Sequence, residues 1–469
     1  MEFDRRTVRI VVLAGFFLGL LSVAWLLSAG TFKTIVFVAL ATSGIAVSVA
    51  IWPEILVMSY LFAGRYGYEA RIAPGDIPIS LNQMMLVGLV VLALINVRFL
   101  LRSARRFSFL GLLLFSLALV LGLGWTLGIN YGIYKVSRTW LVVVPAVLIA
   151  GTLVERRGSL LPLIGAAFLI GFALNTAGLL TFEQSLSSNN RLSALGSGPN
   201  IFARTVGLSL MIALLTMTWL FQRGVRTLTD RLIMVGCALS FLWLLPGFVL
   251  AQSRGPALAL ASAVALVIVL SLYGNWRTVM AGLVGLVFAV WAGQMVILNL
   301  VDTTRFDITK KSNQVSMDAR VDHLWDTWDL IVDHPLLGVG TGGWPVHVFG
   351  IDERAYPHNF FAEIAVENGI FVAGIIAILF AWVVLRGLRA WLTARDPMHR
   401  FLLMGSLATF VFFMINISVT GDSIDNRLIW LTLLAVEWIA WKSRQEVTAG
   451  QAVPRRGVAI ARGPSSAAR

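Results

Sequence analysis

The sequence predicts an all-α, polytopic integral membrane protein, and three observations carry that prediction. Hydrophobic residues make up 58% of the chain and charged residues only 13%, about half the charged share of a soluble domain. Mean hydropathy is +0.83. Apolar runs of roughly 20 residues recur from end to end, the length a helix needs to cross about 30 Å of hydrocarbon. These runs are continuous rather than alternating, which excludes a membrane β-barrel and leaves helices to satisfy the backbone in lipid.

In chain order the candidate spans are Val8–Leu27, Thr34–Trp52, Ile55–Tyr66, Leu81–Phe99, Ser108–Gly128, Trp140–Val154, Leu160–Thr181, Ile201–Gln222, Leu232–Ala251, Pro256–Gly274, Val279–Val301, Gly369–Leu385, Phe401–Thr420 and Arg427–Trp441. Ile55–Tyr66 and Trp140–Val154 are short enough to be re-entrant, so the expected number of transmembrane helices is about 12–14. The first run follows Arg5-Arg6 but exceeds a secretory h-region and lacks an A-x-A site, so it reads as an uncleaved span. Residues 1–301 form an N-terminal bundle, 302–368 one long polar loop, 369–441 the C-terminal helices, and 442–469 a basic tail expected to be disordered.

The net charge is +13. Its basic residues are scattered through short loops, a pattern that orients a membrane protein rather than binding nucleic acid. Placing the N-terminus in the cytoplasm puts Arg98, Arg102, Arg105 and Arg106, then Arg156 and Arg157, Arg223, Arg226 and Arg231, and finally Arg386, Arg389, Arg395 and Arg400 inside. Both termini are then cytoplasmic. The single cysteine, Cys237, permits no intrachain disulfide. The histidines at 323, 334, 347, 358 and 399 show no HExxH and no clustered ligand spacing, so no metal or cofactor is expected.

Three polar segments fall on the outer side. The first, Phe182–Asn200, carries Arg191. The second is the tight turn Gln252-Ser253-Arg254-Gly255-Pro256, where a guanidinium at the interface is costly unless it binds an anion or reaches headgroups. The third is the long loop Asp302–Pro357, ending at His358. Within it Asp318–Asp333 reads as an amphipathic helix, with Val321, Leu324, Trp325, Trp328, Ile331 and Val332 on one face. Such a helix lies on the membrane or caps the bundle. Its aspartates, Asp322 and Asp326 included, read as a solvated face. Pro335 ends it, and Gly338-x-Gly340-x-Gly342-Gly343 follows. No βαβ context or GK[ST] accompanies these glycines, so they read as a turn that lets backbone approach a ligand or the membrane. His358 then opens an apolar helix on which Asn359, Glu363 and Glu367 form one stripe. A cation is disfavoured at a helix N-terminus, so His358 is expected to be neutral and able to accept a proton.

Four motifs therefore stand in order on the outer face: Arg191-Leu192-Ser193-Ala194-Leu195 with Gly198-Pro199-Asn200; Ser253-Arg254-Gly255; Arg320 with His334-Pro335-Leu336-Leu337-Gly338-Val339-Gly340; and His358-Asn359 followed by Gly369. In these, over roughly Phe182 to Leu385, the chain resembles the O-antigen ligase and polymerase superfamily of bacterial envelope glycosyltransferases. The resemblance implies a type-C glycosyltransferase fold and an inverting, metal-independent transfer without cofactor. It implies a bacterial inner-membrane location with the site facing the periplasm. The implied donor is an undecaprenyl diphosphate-linked glycan, and the implied acceptor is lipid A–core or a second lipid-linked glycan. By position it assigns the donor diphosphate to Arg191 and Arg254 and the acceptor hydroxyl to His358, with Arg320, Asn359 and Glu363 in support. One position departs: the ligase pattern ends in Gly, Thr or Tyr three residues past the glycine, where this chain has Val372.

The residues make chemical sense beside the resemblance. Breaking an anomeric C–O bond to a diphosphate develops charge that two permanently charged arginines can stabilise without a metal. An attacking hydroxyl needs a proton acceptor, which a neutral histidine supplies. Ligase, polymerase and protein-glycosylating enzyme all remain open, because the acceptor is not written in these motifs. The competing class is a lipid-linked glycan transporter, which needs ionisable residues or broken helices near mid-membrane. The spans read here carry mainly neutral polar residues such as Asn96, Asn175, Gln294 and Asn416.

Overall fold

The computed structural model describes residues 43–66, 81–186, 191–194, 197–273, 280, 282–284, 311–419, 423–424 and 427–452. The chain runs α1 (Pro53–Tyr66), α2 (Leu81–Ile95), α3 (Val97–Ala104), α4 (Phe107–Gly122), α5 (Ile129–Arg138), α6 (Val144–Arg157), α7 (Leu161–Leu180), α8 (Pro199–Arg223), α9 (Leu228–Leu250), α10 (Arg254–Ser271), α11 (Lys311–Asp333), α12 (Trp344–Phe349), α13 (Phe360–Asn368), α14 (Ile370–Thr393), α15 (Pro397–Val419) and α16 (Leu428–Ala452). Among the described residues, seven helices are long and apolar enough to cross a membrane, or eight if one bent pair is a single span. This is an all-α, multi-pass membrane protein. The candidate spans Val8–Leu27 and Val279–Val301, with residues 34–42 of Thr34–Trp52, lie outside the described residues apart from 280 and 282–284.

Several spans differ instructively from their sequence reading. Trp140–Val154 is the second half of a continuous 29-residue span from Ile129 to Arg157. Its polar first half holds Lys135, which is fully buried. Pro145 lacks a backbone donor, and a π-helical segment at Thr139–Val143 precedes it, joining α5 to α6. Leu81–Phe99 is broken by a 97° bend between α2 and α3. Asn96 sits at the bend, its amide donating to the Leu92 carbonyl at 2.8 Å and accepting from Arg156 at 3.0 Å, the local competition that favours leaving a helix. The expected disordered tail is partly helix, since α16 continues to Ala452. Lys442 anchors this extension by donating to the Gly158 carbonyl at 2.6 Å and lying over the Trp438 ring.

The core is aromatic where the long loop re-enters the bundle. Phe360, the first residue of α13, packs against Phe115 of α4 and Phe380 of α14, with ring centroids 5.9 and 6.0 Å away. Trp430 of α16 completes the cluster at 5.3 Å from Phe380. Glu437 of α16 receives the Ser108 backbone N–H and hydroxyl at 2.8 and 2.7 Å, capping α4. By contrast α9 presents Leu232, Val235, Leu239 and Leu242 outward, the surface expected of a helix facing lipid.

The glycine run after Pro335 is a clamp between elements of this chain. Gly340 donates to the Glu367 carbonyl at 3.0 Å and Thr341 to the Gly122 carbonyl at 3.1 Å. Gly342 has φ 77°, and a Cβ there would lie 2.4 Å from the backbone nitrogen of Gly132. Gly342→Ala is therefore expected to lower stability by about 2 kcal/mol or more through left-handed strain and overpacking. A thermal-unfolding midpoint equal to wild type would refute this account of the turn.

Candidate functional site

His358 lies just outside α13, because Asn359 is the helix N-cap: its Oδ1 accepts the Phe361 and Ala362 amides, both at 3.1 Å. The histidine itself adopts φ 63°, a left-handed conformation uncommon outside glycine and asparagine. Phe360 holds the next turn in the core, so the backbone presents the imidazole rigidly. Tyr356 meets it edge-on at 4.7 Å between centroids. His323 of α11 stacks parallel to it at 6.3 Å. Nδ1 of both imidazoles is buried with no hydrogen-bond partner among the described residues.

The His358 imidazole is held well below its ordinary range, at about 4. Burial is the largest cause, followed by electrostatic interaction with Arg320, His323 and Arg204. It is therefore neutral at pH 7, as its sequence position predicts, but the helix terminus is not among the causes. Arg320 stands one turn before His323 on α11, and its Nη1 donates to the Val419 carbonyl at 3.4 Å. This ties α11 to the end of α15.

Arg191 and the turn bearing Arg254 form a second group. Leu192 fills an apolar cluster with Phe202 and Leu244, and its N–H bonds the Leu250 carbonyl at 3.0 Å. Arg191 is thereby buried against the turn, with Nε donating to the Ala251 carbonyl at 3.1 Å and Nη2 to Asn200 Oδ1 at 3.0 Å. The Ser253 hydroxyl donates to the same Asn200 oxygen at 2.7 Å. Arg254, the next residue, is the first of α10. A cation there opposes the helix dipole, a placement that gains when an anion shares the site.

Arg204 links the two groups. It follows Asn200 by four residues on the same face of α8 and is almost fully buried, while its charge reaches His358. Sequence reading passed over it because it lies within an apolar run. A cation inside a candidate span was the available signal. Two further residues sit elsewhere. Glu363 is buried in an ion pair with Lys135 at 2.5 Å, and Glu367 shares the same ammonium at 2.6 Å. The expected helix is present as α11, but Val321, Leu324, Trp325, Trp328 and Val332 are exposed, an outward apolar stripe suited to a membrane surface.

Sequence spacing shows no clustered metal ligands, yet the fold brings Asp396, His399 and Glu446 within 4.8 Å of one another. There His399 Nδ1 and Glu446 Oε2 are 2.9 Å apart. These residues stand where α15 begins and α16 ends, at the other end of those helices from Val419.

No curated protein matches the chain. The family model described as O-antigen ligase matches residues 239–377, a segment holding Arg254, Arg320, His323 and His358 and starting after Arg191 and Arg204. This match over the described site supports membership of the chain in the O-antigen ligase and polymerase superfamily.

Proposed function

We propose that the protein is an inverting membrane glycosyltransferase that moves a glycan from undecaprenyl diphosphate to an acceptor hydroxyl, as an O-antigen ligase acting on lipid A–core. The carrying observation is a neutral imidazole with a buried, unpartnered Nδ1 placed within the fields of Arg204 and Arg320. In this reading His358 takes the proton of the acceptor hydroxyl as its oxygen attacks the anomeric carbon. The C–O bond to the diphosphate breaks, and the departing charge is met by Arg204 and Arg320, with Arg191 and Arg254 holding the donor. Asn359 fixes the histidine's backbone by capping α13. Glu363 supports the site by holding α13 to α5. The site faces the periplasm of a bacterial inner membrane, where such donors are used.

A bound diphosphate has a second consequence. The arginines depress the imidazole's basicity, so an anion beside them offsets that field and makes His358 a better base once donor is present. The acid limb of kcat/KM reports donor-free protein. Activity requires neutral His358 and falls as pH drops through its pKa. Arg320→Gln removes one depressing charge, so that limb should move to higher pH. An unmoved limb would disconnect Arg320 from His358.

The direct test is transfer by purified protein from an undecaprenyl diphosphate-linked repeat, with and without lipid A–core. One transfer to lipid A–core is the ligase outcome. Long chains from donor alone would instead make it a polymerase of the same superfamily, and no turnover would count against both. Turnover is expected to persist in EDTA; loss restored by a divalent cation would overturn the metal-free mechanism.

A further inference from the structure

At the far end of α8 lie two cavities that this chemistry does not use. Leu208, Ile212, Leu215, Thr216, Trp219 and Arg223 recur at three- and four-residue intervals and so share one face of that helix. The first four line an apolar cavity of about 150 Å³ between α7, α8, α15 and α16, room for a short stretch of hydrocarbon chain. Trp219 and Arg223 line a wider cleft that also takes in Arg226, Tyr273, Trp391 and Arg400. Phe401 lines both spaces, its ring 5.8 Å from that of Trp219, so this aromatic pair stands between them.

The cleft is electropositive. Arg223, Arg226 and Arg400 line it with one carboxylate, Asp230, which Arg223 pairs. Arg223 lies over Trp219 at 4.0 Å and Arg400 over Trp391 at 4.7 Å. Arginine among tryptophan and tyrosine is the composition of the headgroup level of a membrane. Arg204 and Arg223 are separated by about 28 Å of helix at 1.5 Å per residue, close to the hydrocarbon thickness of about 30 Å. The cleft thus opens on the membrane face opposite His358.

We propose that the neighbouring cavities hold one anionic glycerophospholipid of that opposite leaflet, part of an acyl chain at the apolar space and the phosphate against Arg226 and Arg400. Charge complementarity selects the headgroup. The adjoining apolar space selects a lipid over a soluble anion. A full membrane thickness separates this lipid from the donor site, so the proposal stands independently of the transfer reading.

The test loads delipidated full-length protein in detergent with phosphatidylglycerol or phosphatidylcholine and reads retained lipid by native mass spectrometry. Phosphatidylglycerol is expected to be retained about tenfold better, on the order of the attraction that one or two surface arginines supply. Arg226→Gln with Arg400→Gln should erase that preference; both side chains are exposed, so the pair is compatible with folding. Ser406→Phe, which fills the apolar cavity, should lower retention of both lipids. Equal retention of the two lipids by wild type overturns the proposal, and so does a preference that survives the double substitution. Complete displacement of phosphatidylglycerol by inorganic phosphate would also overturn it, by making the cleft a soluble-anion site.

Discussion

Lys135→Met is expected to destabilise the protein by roughly 3–5 kcal/mol, the cost of removing one partner from a buried ionic network. Lys135 is fully buried, with its ammonium 2.5 Å from Glu363 and 2.6 Å from Glu367. The Ser423 amide and hydroxyl each donate to Glu363 at 2.9 Å, and the Tyr131 ring lies 4.7 Å from the Lys135 nitrogen. Without the ammonium, two carboxylates face each other inside the bundle, and burial and mutual repulsion both oppose their charge. The triple change Lys135→Met, Glu363→Gln, Glu367→Gln removes all three charges and should recover much of the loss. Thermal unfolding in detergent decides the matter: a Lys135→Met midpoint near wild type would show that the network does not hold α13. The effect should extend to transfer, because α13 begins two residues after His358.

This network also shows where sequence reading stops. The stripe Asn359, Glu363 and Glu367 is visible from four-residue spacing, but its partner lies 228 residues from Glu363. Lys135 falls in a stretch polar enough to read as loop, so the span appeared to begin only at Trp140. The outer segments were easier, because in so apolar a chain each arginine or histidine at a span boundary stands out. Arg254 and His358 are visible in this way, Arg191 stands out within its short polar loop, and Arg320 comes only with the ordered motifs of the resemblance. Arg204 is not visible, since hydropathy averages a single cation into its apolar neighbours. The glycines after Pro335 were legible as a turn, while the surface they pack on, Gly122 and Gly132, depends on the meeting of α4 and α5 with the loop. A transporter reading drew its weakness from the neutrality of the spans, and Lys135 and Arg204 correct that premise. The ammonium of Lys135 is nonetheless locked between two carboxylates, which suits a fixed support better than a moving relay.

His358→Asn is expected to lower the rate of transfer roughly 10²- to 10⁴-fold, the span ordinarily lost with a general base. Asparagine is the informative replacement because the position has φ 63°. Asparagine tolerates that region, whereas alanine would add backbone strain of its own. The variant therefore keeps the turn and the Asn359 cap on α13 while removing only the titrating ring. Its unfolding midpoint should stay near wild type, which separates loss of chemistry from loss of structure. A pH profile adds a second readout. Wild-type kcat/KM should fall in acid as His358 gains a proton, at about 4 in the donor-free protein, and the residual activity of His358→Asn should lack that limb. Residual activity above a tenth of wild type, with the acid limb intact, would move the base elsewhere. The next residue to test would then be His323, whose ring lies parallel to His358 and whose Nδ1 is likewise buried without a hydrogen-bond partner.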